Sequence, residues 1–150
     1  MLFRLLNNKM QKGDCYFYRS QGTVYGAVVL EIQAGPMGNN TYFLIAITEK
    51  LSTANHETIL STPIYTAAWF SEKDLPFKKF YRTGCVDIQA SFSNFYGLTV
   101  VQQKSITCSN VGQTATWKHK FRAMNFHGMT VPDLIDRQKS HFKHKSYMTQ

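Results

Sequence analysis

Asp14-Cys15-Tyr16-Phe17-Tyr18-Arg19-Ser20-Gln21-Gly22-Thr23-Val24-Tyr25-Gly26-Ala27-Val28-Val29-Leu30 is the stretch that decides the fold. Aromatic and β-branched residues fill a first run, 14–19, and a second that starts at Thr23 and continues to about Gln33, with only Ser20-Gln21-Gly22 between them. Such side chains suit a pleated, half-buried surface. Two apolar runs joined by so short a polar connection predict an antiparallel hairpin.

Outward from this hairpin the same grammar continues. Ala34-Gly35-Pro36-Met37-Gly38-Asn39-Asn40 reads as a loop, because Gly, Pro and Asn supply the backbone angles of turns. The run 41–48 (TYFLIAIT) follows, so nearly continuous in apolar residues that it predicts a strand buried on both faces. Further strands are expected at 59–70, 80–91 and 98–108, and between the first two Ser71 and Asp74 bracket a capped helical turn that Pro76 cuts short. Long helical crossovers of the kind a parallel sheet requires are lacking. The expected fold class is therefore mainly β, a small antiparallel barrel or strongly bent sheet with an SH3-like start and a short C-terminal helix.

That helix is predicted over 131–142. Thr130-Val131-Pro132-Asp133 has a Thr cap, a proline in the first turn and a carboxylate placed to accept exposed backbone N–H groups. Val131, Leu134, Ile135, Gln138 and Phe142 then fall along one side. At 150 residues the chain is sized for one domain, with 1–12 an N-terminal extension, 13–117 the β core and 118–150 a basic segment. Hydrophobic residues at 43% and charged residues at 17% are enough to build a core and exclude wholesale disorder.

The net charge of +8 is unevenly spread. Residues 1–117 hold 10 basic and 7 acidic side chains, whereas 118–150 hold seven basic residues, Lys118, Lys120, Arg122, Arg137, Lys139, Lys143 and Lys145, against two acids. An acidic partner is expected at this tail, with these seven residues and Trp69 as the contacts. His119, His127, His141 and His144 interleave there with Phe121, Phe126 and Phe142, which leaves nucleic acid open as an alternative partner through charge and stacking.

Motifs of catalysis are sparse. Gly84-Cys85 and His56-Glu57 supply a nucleophile and base on paper, but Cys85 reads more simply as a buried strand residue. No G-x-S-x-G, H-E-x-x-H or phosphate-cradling glycine loop occurs, since Gly35 and Gly38 open no helix. His141 and His144 have no carboxylate or thiol near them in sequence to complete a metal site, so no cofactor or metal is expected. Cys15, Cys85 and Cys108 are odd in number and widely spaced, which points to free thiols in a reducing compartment. The first ten residues are too short in apolar character for a signal peptide, and no run of about 18 apolar residues marks a membrane span. A cytoplasmic location away from membranes is the expectation, with Asn39-Asn40-Thr41 a turn rather than a glycosylation site.

Lys12-Gly13-Asp14-Cys15-Tyr16-Phe17 followed by Tyr25-Gly26-Ala27-Val28-Val29-Leu30, then Trp69, Leu75-Pro76 and Thr83-Gly84-Cys85-Val86, resembles the immunity protein 26 family of bacterial toxin systems over about the first 90 residues. The resemblance implies a β-rich, non-enzymatic protein that binds and occludes a cognate toxin, here one with an acidic surface. The same opening also looks like the small barrels of the MazF and PemK ribonuclease toxins, with Ile47-Thr48 at their Ile-Thr position. Where those toxins carry Arg-Pro, however, this chain has Tyr25-Gly26. The cation expected to stabilise phosphate charge is thereby missing.

Overall fold

The computed structural model describes residues 9–34, 40–93, 95 and 126–148. Strands β1 (Asp14–Ser20), β2 (Thr23–Ala34) and β3 (Thr41–Lys50) are followed by helix α1 (His56–Ser61), β4 (Ile64–Ser71), β5 (Phe80–Cys85) and helix α2 (Val131–Met148). The five strands form one antiparallel sheet in the order β4-β3-β2-β1-β5. It does not close, so the expected barrel is not formed.

The β1–β2 hairpin turns through Gln21 (φ 51°) and Gly22 (φ 78°), with Ser20 and Thr23 paired on either side. Two consecutive positive φ angles match the right-handed strand twist, as a two-residue connection needs. Strand β3 sits second from the β4 edge of the sheet and is buried on both sides from Phe43 to Thr48, as its apolar run predicts. Leu44 and Ala46 join Cys15, Val28, Leu30, Ala67 and Trp69 on one face, under Ile59 of α1 and Val131, Leu134 and Ile135 of α2. Phe43, Ile45 and Ile47 join Tyr16, Tyr18, Val29 and Phe70 on the other, where Met10, from the segment before β1, is also buried.

Three expectations are corrected. The strand expected over 59–70 begins only at Ile64, because Asn55 starts a helix: its Oδ1 accepts from the Thr58 backbone N–H at 2.9 Å. Pro63 then holds Thr62 extended (φ −92°, ψ 135°) and ends it. The strand expected over 80–91 stops at Cys85, because its partner runs out: the Val86 N–H reaches Gly13 O at 2.8 Å, just ahead of the first residue of β1. Helix α2 continues through Met148, six residues beyond the expected end, across a stretch free of Gly and Pro. Its start is as expected: the Thr130 N–H donates to Asp133 Oδ2 (3.2 Å) and the Asp133 N–H to Thr130 Oγ1 (3.4 Å). Between β4 and β5 the chain makes two 3-10 turns, Glu72–Asp74 and Phe77–Lys79, the first without a side-chain bond from Ser71. The loop at 35–39 and the strand expected at 98–108 lie outside the described residues. Among the described residues no helix is long and apolar enough to cross a membrane.

Candidate partner-binding surface

The two edges of the sheet differ. Seven of the eight residues of β4 are buried, but none of the six of β5 is. Among the described residues β5 pairs only with β1, which leaves its outer edge facing away from the sheet. An open edge presents main-chain donors and acceptors without partners. The sequence at and around it is cationic: residues 75–86 contain Lys78, Lys79 and Arg82 and no acid. The two exposed large apolar side chains among the described residues also lie here, Tyr81 at 53% and Phe77 at 37% exposure.

Local structure fixes how these groups are presented. Tyr81 stands opposite Phe17 in the ladder and Arg82 opposite Tyr16, so they emerge on opposite faces of β5. Arg19 of β1 lies over the Tyr81 ring, 5.8 Å from its centroid, a cation–π arrangement. Arg82 donates through Nη2 to Asp14 Oδ1 at 3.2 Å. Asp14 is itself buried, and its other oxygen accepts from the Gln11 backbone N–H (2.9 Å) and the Tyr16 hydroxyl (3.1 Å). This hydrogen bond and the carboxylate charge push the Arg82 pKa above its ordinary value, so its charge is permanent. Burial, followed by the Asp14 charge, likewise raises the Tyr16 phenol. The result is a guanidinium anchored at one end and 54% exposed in its side chain.

The residues expected to make contact are placed differently. Trp69 is 1% exposed and packs in the core, so it is not a surface contact; period-2 alternation within β4 puts it beneath the helices. Arg137 is exposed on α2 and Lys139 half-buried, with exposed Asp133 and Asp136 beside them. Lys143 and Lys145 fall within the span of α2, whereas Lys118, Lys120 and Arg122 lie outside the described residues. Between 126 and 140 two acids match two bases, and with Lys143 and Lys145 the described part of the tail keeps a surplus of two positive charges. The segment leaving β5 leads to α2: Val86, Asp87 and Gln89 face Pro132, Ile135, Asp136 and Lys139 across a cleft of about 340 Å³.

The Cys85/His56 pair is half assembled. His56 Nδ1 lies 2.8 Å from Thr83 Oγ1, and its ring covers Gly84, one residue from Cys85. Cys85 is exposed rather than buried, because it ends an edge strand, and it pairs in the ladder with Asp14. Cys15, the buried thiol, has its pKa pushed up to about 12, by burial first and then by the charges of Cys85 and Asp14, against Arg82. Thr48, at the position that looks like the toxins' Thr, accepts the Gly26 N–H (2.8 Å) and donates to Glu49 O (2.7 Å), bonds that brace the irregularity in β2. Among the described residues no three His, Cys, Asp or Glu groups gather to hold a metal ion.

The cationic edge was within reach of sequence reasoning, since the acid-free stretch 75–86 alone carries the surplus of three positive charges found over 1–117. Over the rest of 1–117 seven bases and seven acids cancel, which dilutes the surplus in the sum. No family model, curated protein or solved structure matches the chain.

Proposed function

We propose that this chain is a non-enzymatic protein-binding module, an immunity protein that sits on a cognate bacterial toxin in the cytoplasm and closes its active site. The observation that carries this reading is the β5 edge, unpaired on its outer side among the described residues, which carries an anchored arginine on one face and the exposed Tyr81 on the other, with exposed Lys78 and Lys79 in the turn that leads into it. Buried aromatic and arginine anchors dominate protein interfaces, and both types are on offer here. The positive charge implies an acidic surface on the toxin, and the tail residues Lys118, Lys120, Arg122, Arg137, Lys139, Lys143 and Lys145 extend the attraction at longer range.

Co-expression with the product of the neighbouring gene tests the reading: protection of growth together with a stable complex is expected, and toxicity that persists without a complex rejects it. A second reading, nucleic-acid binding, is favoured by the Arg19–Tyr81 pair, because an exposed ring beside a cation is a stacking platform. Tight binding of a generic oligonucleotide at about 50 mM salt that falls steeply by about 200 mM would favour it instead.

A further inference from the structure

We infer that the partner is recognised by strand addition, an extended acidic segment pairing along the outer edge of β5. The inference rests on the protein-binding reading and specifies where and how contact is made.

Three observations converge. The sheet has one buried edge, β4, and one exposed edge, β5, so a strand can be added at one side only among the described residues. Second, the occupant is not another copy of this chain. A second copy would bring Lys78, Lys79 and Arg82 of its own to a segment, 75–86, that already holds these three cations and no acid, and like charges brought together repel. An acidic strand meets the opposite condition. Third, the edge carries more than the lysines that merely discourage aggregation. Arg82 is held by Asp14 through one nitrogen, and a guanidinium has five N–H donors, so donors remain for a carboxylate.

The two faces then dictate the partner's pattern. Side chains of an added strand alternate with period 2. On the face of Tyr81 and Phe17 an apolar or aromatic residue finds the ring that Arg19 covers from the other direction. On the face of Arg82 and Tyr16 a carboxylate finds the guanidinium. The recognised segment is thus an alternation of acidic and apolar residues in extended form, the main chain supplying affinity and the side chains register.

The probe is a blocked peptide alternating Glu with Val and Phe, measured against the intact protein by fluorescence anisotropy and by hydrogen exchange of the 80–85 amides. Saturating peptide is expected to slow exchange of those amides about tenfold or more. Arg82→Glu is expected to weaken binding about tenfold or more, and a peptide with Lys in place of Glu to recover it on that variant. Tyr81→Ser, a change at an exposed side chain outside the core, is expected to weaken binding without the charge dependence. Peptide binding that leaves the 80–85 amides unchanged overturns the inference, as do preference for an oligonucleotide, an edge-to-edge dimer, or no binding at about 1 mM peptide. If Arg82→Glu fails on the peptide yet still captures the neighbouring gene's product, strand addition falls and the immunity reading stands. Peptide capture without protection by any neighbouring product separates the two the other way.

Discussion

At Gly13 the backbone adopts φ +95°, and a Cβ placed there would lie 2.3 Å from the Val86 carbonyl oxygen. Its N–H donates to Val29 O (2.7 Å) and its carbonyl accepts from Val86 (2.8 Å), so one residue ties β2 to the end of β5. Gly13→Ala is expected to cost roughly 2–4 kcal/mol, from the positive φ and the overlap together, measured by urea unfolding. The neighbouring Asp14 gathers three donors, and Asp14→Ala is expected to cost about 2–3 kcal/mol. The Gly-Asp start was visible as a motif, but its purpose was not, because Val86 and Arg82 reach it from the far end of the β core. Trp69 shows the same limit from the other direction: its identity is plain in the sequence, but the face it occupies depends on the register of β4. Cys15 supplies a pH test. Its thiol ordinarily titrates at 9.0 and in the fold at about 12. Above pH 9 the unfolded chain releases a proton that the folded chain keeps, so stability is intact below pH 9 and falls as pH rises towards 12, by about 1 kcal/mol per unit. Tyr18, raised to about 12 chiefly by burial, steepens the fall above pH 10. Cys15→Ala is expected to flatten the slope between pH 9 and 10 in denaturant titrations, whatever it costs at neutral pH.

Among the elements, strands were legible wherever an apolar run had a partner close by in sequence. The β1–β2 hairpin and β3 appear within a residue or two of the expected limits, since alternation and turn chemistry are local properties. Helix α1 was hidden because Ile59 and Leu60 adjoin the apolar run of β4, and the informative residues were the flanking Asn55 and Pro63. Asn55→Ala is expected to lower stability by about 1 kcal/mol, with loss of helical signal confined to this turn. At the hairpin, Gln21 occupies a positive φ that asparagine tolerates better. Gln21→Asn is expected to stabilise the protein by about 0.5 kcal/mol, and no change in the thermal midpoint would argue against the positive-φ turn. The premature end of β5 was illegible, because 86–91 keeps its alternation: Val86 and Ile88 still face the core after the ladder has ended. Pairing, and not pattern, terminates the strand.

For the whole molecule, the distribution of charge matters more than its sum. The surplus of the basic tail is contiguous in sequence, but over its described portion, 126–148, Asp133 and Asp136 offset two of the four basic residues. Strand order could not be derived from composition, and it is strand order that turns the modest surplus of 75–86 into an exposed edge while burying β4. The central claim is that this edge, with Arg82 and Tyr81, is the surface that grips an acidic protein. Calorimetric titration of the neighbouring gene's product into three proteins tests it most directly: the wild type, the double variant Tyr81→Ser with Arg82→Glu, and the double variant Arg137→Glu with Lys139→Glu. The account predicts that the edge variant loses about a hundredfold or more in affinity and the helix variant less than about tenfold, with all three equally folded. Undiminished binding by the edge variant would contradict it.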